Sequence, residues 1–389
     1  MHIILGAGIA GCYIGLQLLK QNIPFLILEK SDPERKQISI PTIDGQVIEL
    51  GSSVFHTNQS KLLSLIKELN MESLVQPQYE KMKAIYVYPG LNQEEVKSRF
   101  HQLKKVVKQE SLKNNHSFET IDQLCRRILN HEEYSIITGC WEDYYKVCDQ
   151  NAYYVFYSIF GTWCNIKGGF QQLLDRSIEL LKPFIYYNHQ ITKLKYKLKS
   201  NLWKIECKNR QIYSTSHLYF TLHSRAASVI EIIECDRLRT YLNCGQYVSC
   251  MKAYVILKRE IHTNVVSISG PPDDNAWPCK YTLQISPRVW LFSYIDGNIA
   301  IELSKNISGL ADKWIHSMNR ELNLDLTLND IESIEASIWK DAYTILKPEY
   351  YKRIQSFNIK HGFREYGIIC TTLPNLENQS WLEGSLIDI

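Results

Sequence analysis

Gly6, Gly8 and Gly11 stand in the run Gly-Ala-Gly-Ile-Ala-Gly, and Glu29 follows eighteen residues after the last of them. Each residue type in that pattern has a physical job beside a phosphate. Gly6 permits a sharp turn, Gly8 lets the backbone approach a pyrophosphate with no Cβ in the way, and Gly11 lets a helix pack closely on a strand. A carboxylate about twenty residues further on accepts hydrogen bonds from ribose hydroxyls. The chemistry on offer is the holding of a dinucleotide, and the spacing leaves open whether that is FAD or NAD.

The glycines work only if the elements around them are right. Residues 1–5 are an apolar run of strand length, Ile14, Leu16 and Leu19 continue a helix, and residues 25–28 form a second apolar run that ends on Glu29. Strand, tight turn, helix, strand and acid in that order separate a dinucleotide site from an ordinary glycine turn. The N-terminus of such a helix presents amides without intrahelical partners, and a partial positive charge, to the phosphates.

A chain of 389 residues can bury two full cores. Its 45% hydrophobic and 22% charged content is that of a soluble globular protein, and a formal charge of +3 gives no argument for nucleic acid. Lys104, Lys105, Lys108 and Lys113 form a basic cluster, but Glu110 interrupts it and the spacing fits one solvated helix face. Eleven cysteines, none in a Cys-x-x-Cys pair, fit free thiols in a reducing compartment, so neither zinc nor a structural disulfide is expected. Met1 opens a core strand, which leaves no room for a secretory signal, and no apolar run reaches membrane-spanning length. An intracellular, cytoplasmic protein is expected.

Further along, residues 42–50 read as a hairpin that turns at Asp44-Gly45, and residues 60–69 as a helix. Helices are predicted over 93–112, 118–129 and 134–147. The aromatic stripe Tyr144, Tyr145, Tyr153, Tyr154, Phe156 and Tyr157 reads first as core. From 166 to 222 the pattern of a nucleotide domain returns: a helix from Gly168-Gly169 to Leu181, a strand over 185–192, a hairpin pairing 202–207 with 211–213, and a buried strand over 217–222. Residues 245–302 are strand-rich, 301–322 mainly helical, and 331–339 a strand.

The glycine motif, the acid closing the second strand, the hairpin, the run Glu49-Leu50-Gly51-Ser52-Ser53-Val54-Phe55-His56 and the leucine-rich helix after it resemble the FAD-dependent amine oxidase superfamily. That superfamily includes monoamine and polyamine oxidases, histone lysine demethylases, protoporphyrinogen oxidase and prenylcysteine oxidase. Lys167-Gly168-Gly169 is similar to the family's Gly-Gly turn, and Trp381-Leu382-Glu383-Gly384 to its terminal flavin motif. Ser293-Tyr294-Ile295-Asp296-Gly297 looks closest to the amine oxidase-like proteins of large DNA viruses. The resemblance implies an α/β fold with a Rossmann-like FAD-binding domain of the glutathione reductase type, made of residues 1–78, 161–243 and 351–389. A discontinuous α+β substrate domain interrupts it, helical over 79–160 and strand-rich over 244–350. It also implies a small-molecule amine as substrate, a setting in a virus-infected host cell, and non-covalent FAD, because no cysteine stands next to the terminal motif.

On the same resemblance, FAD would be held by Gly6, Gly8, Ile9, Ala10 and Gly11, by Glu29, Lys30 and Arg35, and by Gly51, Ser52 and Ser53. Ile191 would hold the adenine through its backbone, and Thr221 and Thr372 would add contacts. Trp381, Leu382, Glu383 and Gly384 would lie against the flavin, with a helix N-terminus aimed at its pyrimidine ring. Lys252 matches the family's lysine that holds a water near flavin N5, and burial would depress its pKa; Lys258 is its rival. Trp381 matches one wall of an aromatic sandwich around the amine. The other wall falls at Leu346, with Tyr343 as the nearest aromatic substitute, and His56 stands where family members face the flavin or the substrate entrance. The reaction so implied takes a C–N bond to an imine, with oxygen as acceptor and peroxide as product.

Three departures mark this chain. The family's Gly-Gly-Arg stands here as Pro33-Glu34-Arg35, its acid for the ribityl hydroxyls falls at Thr371-Thr372, and only a few residues of the terminal helix precede Ile389. Threonine forgoes the charge-assisted contact of an acid. The departures open a second reading, a non-catalytic scaffold or binding protein that keeps the fold. A third, oxidation of a prenylated thioether, follows from the similarity of Glu49-x-Gly51-x-Ser53-Val54-x-His56 to prenylcysteine oxidase.

Overall fold

Apolar runs too short for helices pair in parallel: Ile368–Cys370, His217–Phe220, His2–Leu5, Phe25–Leu28 and Ile185–Tyr186 lie side by side in that order. The computed structural model describes residues 1–33, 38–42, 44–77, 83–113, 118–158, 162–272, 277–346, 350, 366–371 and 386. Phe25–Leu28 is buried at every position, as a strand covered on both faces must be. The helix Ile9–Lys20 covers the sheet and packs on the helix Gln171–Leu181. Distant parts of the chain therefore meet in one sheet, with the glycine turn at the end of its central strand.

A second, six-stranded sheet runs in the order Ile331–Leu346, Gly245–Leu257, Val289–Asp296, Tyr281–Gln284, Val265–Ser269 and Lys83–Tyr86. Alternation gives it two unlike faces. Met251, Ala253, Val255, Trp290, Phe292 and Ile295 pack with Trp314 and Met318 of the helix Ile307–Leu322. Lys252 and Tyr254 point the other way, toward Glu49 at the end of the hairpin Ser39–Pro41/Val47–Glu49.

The helical part contains Gln93–Lys113, Ile121–Ile128, His131–Cys140, Tyr144–Val147 and Ala152–Ser158. Tyr144 and Phe156 lie in its core, and the Tyr134 and Tyr144 hydroxyls both donate to Asp122, at 2.6 and 2.8 Å. Lys105, Lys108 and Lys113 are exposed, while Lys104 lies over the Trp141 ring at 4.7 Å. The cysteines are free thiols, and among the described residues no helix is long and apolar enough to cross a membrane.

Three elements differ from the sequence reading. The single strand predicted over 185–192 is two: Ile185–Tyr186 edges the parallel sheet, and Ile191–Lys197 belongs to a four-stranded sheet. Asn188, at φ +61°, breaks it, a left-handed conformation that asparagine adopts more readily than most residues. The helix predicted over 134–147 is likewise two, divided around Trp141, and the first starts at His131 because Asn130 and Glu133 form a capping box. The strand predicted over 331–339 continues to Leu346, because Gly245–Leu257 pairs with it along its length across a bulge between Val248 and Cys250.

Candidate functional site

The first strand ends at Leu5, and the chain turns at Gly6 with φ +98°, a conformation glycine adopts without a steric penalty. The helix begins at Ile9 with no side-chain cap at Gly8. A Cβ at Gly8 would meet nothing within 4 Å, so the space above it is open, whereas a Cβ at Gly11 would fall 2.0 Å from the Gly6 carbonyl oxygen. Thr221 pins the turn by donating its hydroxyl to the Leu5 carbonyl at 2.6 Å. The Glu29 carboxylate accepts from the Ala7 N–H at 2.8 Å and the Ser31 N–H at 2.9 Å. Those amides orient it beside the turn, and a carboxylate with about four acceptor sites can take ribose hydroxyls as well. An open cradle, an uncapped helix end and an oriented acid fit the adenosine diphosphate half of a dinucleotide.

The other cofactor residues are less evenly placed. Lys30 is exposed, and Ile191 opens its strand opposite Cys207 with its side chain buried. Arg35, Thr372, Trp381, Leu382, Glu383 and Gly384 lie outside the described residues. Leu386 packs with Ile4, Cys12 and Leu62, and its carbonyl accepts from Lys61 Nζ at 2.7 Å. Thr371 donates its backbone N–H to Phe220 O at 3.0 Å, and its side chain is buried.

Glu49 proves to be a helix cap. Its Oε1 accepts from the Phe170 N–H at 2.7 Å and its Oε2 from the Ser39 hydroxyl at 2.6 Å, while Ser39 Oγ accepts from the Gln171 N–H at 3.1 Å. A carboxylate at a helix N-terminus meets the positive end of its dipole. The contact locks the hairpin to the Gln171–Leu181 helix and so fixes where the next residues, Leu50 to Ser53, must lie.

Those residues meet Lys252. Its buried Nζ lies 2.5 Å from Gly51 O, 3.0 Å from Ser53 Oγ and 3.3 Å from Glu49 O, and burial lowers its pKa. Tyr254 donates to Glu49 O at 2.9 Å; Ser337 and Trp339 both donate to Leu50 O, at 3.0 and 2.6 Å. Lys258 points elsewhere, to Asn329 O at 2.7 Å, in an exposed position. Gly51 and Ser53 thus come together with Lys252, while Ser52 is exposed. His56 is buried with its ring against Trp163, centroids 3.8 Å apart. Leu346 sinks into the core beneath the parallel sheet, whereas the Tyr343 hydroxyl reaches Tyr294 Oη at 3.2 Å.

Next to these tyrosines is a group the sequence reading missed. Asp296 stands in the sequence only within the run Ser293–Gly297 and carries no role there, yet it is fully buried, and burial pushes its carboxyl up to about 7, with Asp143 adding to the shift and Lys146 opposing it. Lys146 Nζ lies 5.0 Å from the Tyr343 ring centroid and Lys252 Nζ 5.8 Å from that of Tyr294. Alternation in the sequence puts Asp296 on the same face as Tyr294, and only the register with Gly245–Leu257 makes that the Lys252 face.

Residues 9–151 match the family model described as flavin containing amine oxidoreductase. No curated protein matches by sequence. Among solved structures, a triple mutant of putrescine oxidase, from a redesign of cofactor binding, superposes with a TM-score of 0.75 at 13% identity, over 99% of this chain and 95% of that one. A single mutant from the same redesign gives 0.71 at 13% identity, over 98% and 95%. The chain therefore has the mixed α/β fold of putrescine oxidase around a parallel-sheet core, and residues 9–151 carry the sequence pattern of the flavin containing amine oxidoreductases.

Proposed function

We propose that the chain is an FAD-dependent oxidoreductase that takes a C–N bond of a small amine to an imine, with oxygen as acceptor and peroxide as product. The observation that carries this reading is the pairing of two arrangements on one fold. One is the open cradle over Gly8 with Glu29 held beside it, and the other is a buried lysine gripping the segment after the hairpin. FAD bound in the cradle would supply the two-electron acceptor. Gly6, Gly8, Gly11 and Glu29 would hold its adenosine diphosphate half non-covalently. Lys252 would fix Gly51 and Ser53, and Tyr294 and Tyr343 would bound the amine. The solved neighbours are putrescine oxidases by name, which makes a short aliphatic diamine the first substrate to try. The division into nucleotide segments 1–78, 161–243 and 351–389 and substrate segments 79–160 and 244–350, an intracellular setting and the kinship with viral proteins belong to the same proposal.

The visible spectrum of the purified protein, before and after added FAD and desalting, tests it. Flavin bands near ~375 and ~450 nm that survive desalting and bleach anaerobically with an amine are the expected result. A colourless protein that refuses FAD would favour the scaffold reading, and bleaching by a prenyl thioether alone would favour the third.

A further inference from the structure

Buried carboxylates are ordinarily paired or hydrogen-bonded, because removing a charge from water without compensation is strongly disfavoured. Asp296 departs from this. Its side chain is 1% exposed, and neither carboxylate oxygen has a hydrogen-bond partner among the described residues. Strand register sets Asp296 opposite Cys250 and Tyr294 opposite Lys252, so the carboxylate shares a sheet face with Lys252, about 7 Å further along. The Cys250 thiol and the Tyr294 hydroxyl face the carboxylate and ease the upward push of burial, but neither satisfies it with a well-formed hydrogen bond. The other charged or titratable groups in its field are Lys252 on the neighbouring strand, Asp143 and Lys146 at the helix Tyr144–Val147, Tyr343 on the far strand, and Lys280 before Tyr281–Gln284. Lys252 and Lys280 spend their protons on backbone carbonyls.

We propose that Asp296 is the site's resident proton acceptor, which takes a proton from an incoming alkylammonium so that the amine stands neutral beside Lys252. The proposal rests on the amine oxidase reading and deepens it. In the step, an N–H bond of the ammonium breaks and its electron pair stays on nitrogen. The proton forms an O–H bond on Asp296, and no electron is transferred. From a free alkylammonium at about 10 to a carboxyl pushed up to about 7 the transfer is uphill by about three pKa units, and the irreversible oxidation of the neutral amine draws it forward. Lys146 disfavours a further cation beside it, and a carboxyl at about 7 exchanges protons readily near neutral pH.

Two measurements on the FAD-loaded protein test it. Stopped-flow bleaching by butylamine or butane-1,4-diamine should show an acid limb near pH 7. Asp296→Asn should lose that limb, bleach about 100-fold more slowly at neutral pH, and recover only toward the amine's own pKa of about 10. Asp296→Glu should keep the limb. Infrared difference spectra of the anaerobically reduced protein, which cannot turn over, should gain a protonated-carboxyl band on adding butylamine, and Asp296→Asn should lack it. Normal wild-type bleaching with an unchanged limb and band in Asp296→Asn overturns the proposal alone. A wild type that no amine bleaches overturns the amine oxidase reading and the proposal with it. Should Asp296→Asn fail to fold, absence of the band in wild type, or loss of the limb in Asp296→Glu, overturns the proposal.

Discussion

Lys252, within a strand of the six-stranded sheet, and Lys280, just ahead of another, share nearly every property used to pick out a catalytic lysine. Both are buried, both donate to a pair of backbone carbonyls, and each lies near a tyrosine ring, Tyr294 at 5.8 Å and Tyr145 at 5.4 Å. Burial lowers both pKa values, that of Lys280 to about 8. The difference lies in the partners. Lys280 meets Thr138 O and Gly139 O at the end of the helix His131–Cys140, where carbonyls have no intrahelical donor and a cation is favoured. Lys252 also meets Ser53 Oγ, which donates or accepts, so its nitrogen is satisfied as ammonium or as amine. Burial and a depressed pKa alone therefore do not single out Lys252; on the proposed reading, partners that tolerate both charge states do.

Replacing each lysine with methionine breaks this comparison most directly. With FAD bound, amine-driven bleaching should fall about 1,000-fold in Lys252→Met and stay near wild type in Lys280→Met. Equal losses would mean that burial alone mattered. Lys280 should instead show in stability. Its folded pKa of about 8 lies below the ordinary 10.5, so between those values the unfolded chain holds more protons and stability rises with pH. Denaturant curves of wild type and Lys280→Met should diverge in favour of wild type by about 3 kcal/mol across that window. A constant difference would show that burial does not penalise the ammonium.

What could be read from the sequence follows the same division. The cradle was legible because its constraints are local. Gly6, Gly8 and Gly11 act through backbone within one turn, and Glu29 needs only the length of one helix and one strand to reach Ala7. The Lys252 face was only half legible. Resemblance pointed to Lys252, but Tyr343, Tyr294 and Asp296 join it through the register of three strands and a bulge at Val248–Cys250, which no short window of sequence encodes. Glu49 was seen as motif and not as helix cap because its partner, Phe170, lies 121 residues away. The break at Asn188 was missed because the apolar residues on either side of it read as one strand.

Gly8 and Gly11 repeat the contrast between serving the site and holding the fold. Gly8 has φ −74° and ψ 178°, which any residue adopts, and open space where a side chain would go. Gly8→Val should therefore fold with near wild-type stability yet bind FAD about 100-fold more weakly, the roughly 3 kcal/mol of an overpacked contact. Gly11→Val should lose the fold before the cofactor, since its Cβ would meet a backbone oxygen at 2.0 Å. Titrating both variants with FAD beside a thermal melt separates the two. Equal FAD affinity in Gly8→Val and wild type would remove the cradle from the argument.

The smallest effects belong where the segment under Lys252 is held twice. Leu50 O accepts from both Ser337 Oγ and Trp339 Nε1, so removing one donor leaves no orphaned carbonyl. Ser337→Ala should cost about 0.5 kcal/mol and Trp339→Phe about 1 kcal/mol in denaturant unfolding. The double variant should exceed their sum by about 1 kcal/mol, because Leu50 is buried and its carbonyl then loses both of these donors. That redundancy leaves Lys252 free to lose its proton without releasing the segment. Strict additivity would mean that Lys252 and Tyr254 do the holding, and a neutral Lys252 would then loosen the wall it is meant to fix.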